Sequence, residues 1–228
     1  MNVESIIQKE GIPQEIIERV EHLPVNDNVK VDTLLILSGF KQATEIEMGK
    51  QWAPNEISHM LSEDEIVLCR KSLEEIGLKT IEPMREKHDA RVVTEGEEAP
   101  YTEYGKDVAL FCVAKDKMSA EQLKQAVQTD DDRVYGTLSG FPATAIDAYI
   151  ANENKSGSEN DEPLIISREE LPKEVREQDF MAFAEFMFSK DYWREELETV
   201  KRWATQIQQA DPMLYARIVA SYRSMIRQ

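Results

Sequence analysis

The chain has 228 residues and carries 27 Lys and Arg against 44 Asp and Glu, a formal net charge of -17. With 41% apolar and 31% charged residues it is expected to be globular, and at this length it needs neither a disulfide nor a metal ion to build a core. The excess of acid argues against nucleic acid and anionic membranes as partners, because their phosphate groups would be repelled.

The first third of the chain is predicted to be mainly helical. Pro13 suits the first turn of one helix, and Asp32 is a candidate N-cap for a second helix that stops at Gly39. The apolar run at 34–37 would also suit a buried strand, and periodicity does not decide between the two. Residues 44–48 alternate polar and apolar side chains, which predicts a strand.

Three capping-box patterns, each a hydroxyl followed three residues later by Glu or Gln, predict helix starts at Ser62, Ser119 and Ser167. Gly77 is expected to end the first of these helices as a C′ glycine. The second helix is expected to run to about Gln128.

Two β-rich segments, residues 90–94 and 107–113, flank an acidic and turn-rich connection. We predict that they form an antiparallel hairpin, with residues 44–48 in the same sheet. The continuous apolar run at 108–113 indicates a central strand that is covered on both faces.

Residues 152–163 are polar throughout and are predicted to be a linker or loop. They would separate an α+β domain over residues 1–151 from a helical C-terminal subdomain over residues 164–228. Residues 164–166 could add one edge strand, and the chain after them is predicted to be helical to its end. The fold class that these elements predict is α+β: a small, mostly antiparallel sheet of three or four strands wrapped by helices, with the helical C-terminal subdomain packing on the first domain or on a second subunit.

The C-terminal helices are predicted to run from about 190 to 209 and from Pro212 onward, with Asp211 as the N-cap of the last one. Before them, Phe180 and Phe183 recur at helical spacing, while Phe186 and Phe188 lie off that face. A helix that is apolar nearly all round is buried on several sides, either in the core or against another subunit. We predict a homodimer through these helices.

Compartment signals favour a cytoplasmic protein. Cys69 and Cys112 each lie in an apolar run and are expected to be buried free thiols. The first residues lack the basic and apolar regions of a signal peptide, and no apolar run is long enough to span a membrane.

The most distinctive local sequence is Gly-Thr-Leu-Ser-Gly-Phe-Pro at residues 136–142. Backbone amides in such a segment can bind an anion, although a structural turn that feeds a buried helix is the alternative. It is not a P-loop, because the Gly-Lys-Ser/Thr ending is absent. Lys41, in a second glycine turn, could meet an anionic ligand or an internal carboxylate. The candidate ligand-binding residues are Lys41, Arg133, Tyr135, Gly136, Ser139 and Gly140.

The sequence does not identify a catalytic residue or a cofactor, and no metal site is predicted. The acidic residues at 130–132 offer hard oxygen ligands but lack the spacing of an EF-hand, so a loop or the first turn of a helix is expected there. His59 and His88 have no ligand-type partners at helical spacing for a zinc site.

Residues 39–43 (Gly-Phe-Lys-Gln-Ala) and 136–142 together resemble a family of small prokaryotic proteins of unknown function. Members of that family combine a Gly-Leu/Phe-Lys-x-Ala segment after an apolar helix with a Gly-x-Leu-x-Gly-Phe/Tyr-Pro segment that opens a helix. The resemblance covers at most residues 30–150. Thr144 and Ala145 stand where some relatives have two Cys, so thiol chemistry does not carry over. The resemblance bears on fold and implies no activity.

The sequence favours a non-catalytic small-ligand-binding or regulatory protein. An enzyme acting on a small anionic substrate near Lys41 and residues 136–142 is one alternative, and an acidic protein-docking module is another. A cleft at Lys41 would favour the first two classes, and a titratable acid beside it would favour an enzyme.

Overall fold

The structure is a computed structural model, and it describes residues 11–52, 62–81, 84–88, 91–93, 101–155 and 162–227. The α+β fold predicted from the sequence is confirmed. The helices are α1 (Gln14–Glu21), α2 (Asp27–Ser38), α3 (Glu63–Glu75), α4 (Lys117–Thr129), α5 (Asp132–Leu138), α6 (Ala143–Glu153), α7 (Lys173–Arg176), α8 (Trp193–Ala210) and α9 (Pro212–Met225). The strands are β1 (Ala43–Trp52), β2 (Lys79–Thr80), β3 (Met84–His88), β4 (Arg91–Val93), β5 (Tyr101–Glu103), β6 (Gly105–Ala114), β7 (Ile165–Ile166) and β8 (Phe188–Ser189).

Strand β6 is the centre of the main sheet, as its apolar run predicts. β1 pairs with it antiparallel over its whole length, from Ala43 opposite Ala114 to Trp52 opposite Gly105. β2 and β3 pair with its second edge. The predicted hairpin between 90–94 and 107–113 is wrong, because β4 pairs with β5 in a separate two-stranded sheet.

β3 occupies the position beside β6 that was predicted for residues 90–94, and its polar composition explains why it was not predicted as a strand. Arg85 on β3 donates two hydrogen bonds of 2.9 Å to the carboxylate of Asp107, a fully buried residue on β6. A charged side chain can therefore occupy a paired strand here, because a buried carboxylate at a diagonal position on the neighbouring strand carries the opposite charge.

Helix α2 settles the ambiguity at residues 34–37, which are helical and buried. The predicted N-cap Asp32 is wrong: Asn26 caps the helix, and its side chain accepts a hydrogen bond of 3.0 Å from the amide of Val29. A helix buried on most sides has no polar face, so its sequence shows no clear helical period. Gly39 ends it with φ 81.

The three capping-box predictions have different outcomes. Ser62 forms a full capping box with Glu65. Ser119 does not cap α4, because Asp116 does so and accepts hydrogen bonds of 2.9 and 2.8 Å from the amide and the hydroxyl of Ser119. Ser167 forms a box, but it opens only a 3₁₀ turn over Arg168–Glu170. Pro172 follows that turn, and a proline disfavours helical geometry in the residue before it.

The helix predicted around residues 180–188 is also wrong. A 3₁₀ turn over Asp179–Phe183 is followed by a non-helical segment that leads into β8, which pairs with β7. Phe186 and Phe188 are two residues apart, and their ring centroids lie 5.0 Å from each other. Side chains two residues apart lie on the same side of an extended chain, but not on the same side of a helix.

The N-terminal and C-terminal parts of the chain share one hydrophobic core. Leu35 of α2, Phe111 of β6 and Trp203 of α8 belong to the same buried cluster. Arg217 of α9 also donates to Asp27 at 2.9 Å and to Glu21 at 2.9 Å. Helices α8 and α9 thus pack against α2 of the same chain, and a homodimer through them stays a prediction. Residues 156–161 of the predicted linker lie outside the described residues.

Candidate functional site

Lys41 lies at the centre of a buried ion-pair cluster. Its ammonium group contacts one carboxylate oxygen of Asp32 on α2 and one of Glu185, which precedes β8. The same nitrogen lies 4.9 Å from the ring centroid of Trp203. The side chain of Lys41 is only 2% exposed, so two carboxylates and an aromatic ring replace the water around its charge.

The cluster raises the pKa values of Lys41 and Glu185. Burial works against the charge of Lys41, but Asp32 and Glu185 outweigh it and hold the pKa of Lys41 above its ordinary value. Burial and then the negative charge of Asp32 raise the pKa of Glu185 to about 7, although Lys41 pulls it down. Glu185 is therefore close to half-ionised at neutral pH.

A cavity of about 240 Å³ opens beside Glu185. Its walls are mostly aromatic and aliphatic, and they include Tyr135, Phe141, Ile146, Tyr149, Phe186 and Met187. Among the described residues, the charged side chains that line it are two acids, Glu185 and Asp132. The cavity thus combines a large apolar surface with negative charge.

Two glycines allow the close packing around this cavity. A Cβ on Gly136 would lie 2.8 Å from Cγ1 of Ile146, so the bare glycine lets α5 approach α6. Gly140 has φ +74, and a Cβ there would lie 2.3 Å from the carbonyl oxygen of Phe40. The amide of Gln42 donates to the carbonyl of Leu138 at 2.8 Å. The two distinctive segments of the sequence, 39–43 and 136–142, therefore lie side by side.

The segment 136–142 is partly helical, although its sequence indicates a turn. Its first three residues are the last turn of α5, and Pro142 is the N-cap of α6. The amides of Ser139, Gly140 and Phe141 donate to carbonyls of the preceding helix at 2.9, 3.1 and 2.9 Å. These amides are satisfied internally, which favours the alternative of a structural turn over an anion site.

The predicted site residues lie in different parts of the structure, and only some of them line the cavity. Tyr135 and Gly136 line the cavity, and Lys41 lies behind Glu185. Ser139 is buried, and Gly140 packs against the backbone of Phe40. Arg133 forms an exposed ion pair with Asp147 at 2.7 Å and is not among the residues that line the cavity.

Glu185 was missed at the sequence level because it is 144 residues from Lys41. One signal could have found it: Glu185 is the sole charged residue in the apolar stretch from 180 to 188. A lone carboxylate in such a stretch needs a buried partner of opposite charge.

A second carboxylate, Glu45 on β1, lies near the hydroxyl of Tyr135. Burial raises the pKa of Glu45, and its Oε1 has no hydrogen-bond partner among the described residues. Burial and then the charge of Glu45 raise the pKa of Tyr135 to about 12. Tyr135 therefore stays protonated at neutral pH and can donate a hydrogen bond.

Comparison with family models, with curated proteins and with solved structures found no match to this chain. The resemblance of segments 39–43 and 136–142 to a prokaryotic family therefore stays a proposal. Within the described part of the chain, no three His, Cys, Asp or Glu side chains are grouped so that they could hold a metal ion. In that same part, no helix has the length and apolar character needed to cross a membrane. Cys69 and Cys112 are free and buried, as predicted.

The raised pKa of Glu185 predicts a pH-dependent contribution to stability. The folded chain holds this proton more tightly than the unfolded chain, so the stability of the wild type relative to Glu185→Gln should fall between about pH 4.5 and about pH 7 and be level above that range. The side chain is 28% exposed, and screening by solvent should reduce the change to about 1–2 kcal/mol. Urea unfolding across this pH range measures it, with Glu18→Gln on the exposed face of α1 as the control. If the difference in stability between the wild type and Glu185→Gln does not change with pH over this range, Glu185 titrates as an ordinary surface acid.

Proposed function

We propose that this protein binds a small molecule, without transforming it, in the cavity beside Glu185. The observation that carries the proposal is the cavity itself: an apolar, largely aromatic wall around a partly buried carboxylate. Ligand sites commonly combine a mainly hydrophobic lining with a few polar groups that orient the ligand. With about 240 Å³ of space, this site suits a compact ligand.

The sequence left two partners open for Lys41, an anionic ligand or an internal carboxylate, and the contacts of Lys41 favour the internal carboxylate. Its ammonium group is already shared by Asp32 and Glu185, and almost none of its surface is exposed. An anion in the cavity would instead approach Asp132 and Glu185, both of them acids. Lys41 thus supports the cavity from behind by holding Glu185 in place.

The test is a screen of small molecules by thermal shift, repeated on two matched variants. Met187→Trp narrows the cavity at a residue that is 37% exposed, and Met213→Trp makes the same change at a residue that is 68% exposed and does not line it. A compound that binds and is present at about a hundred times its Kd should add about 2.7 kcal/mol to the free energy of unfolding. For a chain of this size, that raises Tm by about 5–10 °C.

The shift should be lost in Met187→Trp and kept in Met213→Trp. Compounds that stabilise both variants equally would place binding elsewhere on the chain. A diverse screen in which no compound shows a shift dependent on Met187 would overturn the proposal.

One observation favours an enzyme as the second candidate. A carboxyl group with a pKa of about 7 at the wall of a cavity suits a general acid or base. If a ligand from the screen is slowly converted, Glu185→Gln should abolish turnover while binding remains. If no ligand is converted by the wild type over many hours, the non-catalytic proposal is favoured.

A further inference from the structure

The charge balance around the cavity is incomplete. One ammonium group, that of Lys41, contacts two carboxylates, those of Asp32 and Glu185. When Glu185 is ionised, the cluster carries one uncompensated negative charge in a poorly solvated place. Asp132, which also lines the cavity, adds to the negative potential and provides no compensation.

Of the two carboxylates, that of Glu185 is the one that lines the cavity. Asp32 uses one oxygen for Lys41 and the other for the hydroxyl of Thr44, at 3.3 Å. Glu185 uses Oε2 for Lys41, and a hydrogen bond between its carboxyl group and that of Asp32 favours the protonated form of Glu185. Because Glu185 lines the cavity and its side chain is 28% exposed, its carboxyl group is accessible to a hydrogen-bond donor there.

The aromatic side chains of the cavity add a second attraction for positive charge. The ring centroids of Phe141 and Phe186 lie 5.4 Å apart, and those of Tyr135 and Phe141 lie 6.3 Å apart. The faces of such rings attract cations, most strongly where water is excluded. Lys41 already makes this contact with Trp203 in the adjoining core.

On this basis we propose that the ligand of the cavity is a small organic cation, an amine or ammonium compound with a compact apolar or aromatic body, whose positive group pairs with Glu185. The inference rests on the proposed function and adds the chemical class of the ligand. The net charge of -17 supports it further, because an acidic protein attracts cations over a longer range.

Binding of such a cation must be linked to the proton on Glu185. The cation pairs with the ionised carboxylate, whose pKa in the free protein is about 7, so binding near or below neutral pH releases a proton. The other titratable groups around Glu185 are Lys41 and Asp32, in direct contact, and Asp132, Tyr135 and Tyr149, which line the same cavity. Burial raises the pKa of both tyrosines, and the carboxylates raise that of Lys41, so these three groups keep their protons at neutral pH.

Three probes of nearly equal size test the proposal: phenethylamine as the cation, phenethyl alcohol as its neutral counterpart and phenylacetate as an anion. Their affinities are measured by isothermal titration calorimetry on the full chain at about pH 8 and about pH 6. Alkylammonium groups stay charged over this range, so a change of affinity reports on the protein.

We expect phenethylamine to bind at least about tenfold more tightly than phenethyl alcohol at about pH 8, with phenylacetate the weakest. Its affinity should fall about tenfold at about pH 6, because the ionised fraction of Glu185 falls from about nine-tenths to about one-tenth. Glu185→Gln should remove both the preference and the pH dependence. Met187→Trp should block binding, and Asp132→Asn, at an exposed position, should weaken it by a smaller factor.

The remaining outcomes separate the inference from the proposed function. If phenethyl alcohol or phenylacetate binds as tightly as the amine and Met187→Trp blocks them, the cavity binds ligands but the proposed class is wrong. If phenethylamine binds equally well to the wild type, Glu185→Gln and Met187→Trp, it associates with the acidic surface, and the inference is overturned. If none of the probes binds while other compounds from the screen occupy the cavity, the inference fails and the proposed function stands.

Discussion

Replacing Lys41 by Met is expected to lower the free energy of unfolding by about 3 kcal/mol. Methionine fills a similar volume, so the loss comes from charge rather than from a cavity. Asp32 and Glu185 would remain beside each other, with side chains 15% and 28% exposed and without the cation that compensates them. Their mutual repulsion and incomplete solvation set the size of the effect.

Urea unfolding at neutral pH measures this loss, and Lys71→Met is the matched control. Lys71 on α3 is 69% exposed and pairs with Glu75 at 3.8 Å one helical turn away, so its replacement should cost less than about 0.5 kcal/mol. The double variant Lys41→Met with Glu185→Gln should recover part of the loss, because one of the two stranded charges is removed. If Lys41→Met costs no more than Lys71→Met, the cluster adds nothing to the fold.

Local signals in the sequence predicted part of the local structure, where hydrogen bonds between near neighbours decide how a helix begins. The capping box at Ser62 and the helix start at Asp211 are of this kind, whereas the caps expected at Asp32 and Ser119 were wrong. The central strand at 108–113 was predicted from its apolar run. Strand partners depend on distant segments, which is why residues 90–94 were paired wrongly. The polar strand β3 carries no hydrophobic alternation, and its partner Asp107 is the reason it fits the sheet.

Several of the candidate site residues lie close to the cavity, but the negative charge of the cavity was not expected from the sequence. Lys41 and Tyr135 were both selected from the sequence, and both lie at or behind the cavity. The negative charge of the cavity could not be derived from the sequence, because it depends on Glu185, which is far from Lys41 in the chain. Glu185 also lies in a segment whose apolar spacing is typical of a helix, although the segment is not helical. Lys41 without an ion-pair partner would have made the site positively charged, whereas its two carboxylate partners, Asp32 and Glu185, make the site negatively charged.

Gly140→Ala is expected to be the most damaging small substitution in the described part of the chain, at about 3 kcal/mol or more. A left-handed backbone conformation alone costs a residue with a Cβ about 1–2 kcal/mol. At Gly140, with φ +74, the new Cβ would also lie 2.3 Å from the carbonyl oxygen of Phe40. The contact is with backbone on both sides, so no side-chain rotation can relieve it, and either the chain at Phe40 or the end of α5 must move.

Gly77→Ala separates these two costs, because Gly77 has φ +93 but nothing within 4 Å of the added Cβ. It should lose only the conformational part, about 1 kcal/mol, and should bind phenethylamine as the wild type does. Gly140→Ala should lose more stability and also bind the probe more weakly, because Phe40 precedes Lys41 and a shift there disturbs the support of Glu185. Equal losses in the two variants would mean that the approach of residues 39–43 to residues 136–142 relaxes without cost, and the cavity would then not depend on their close packing.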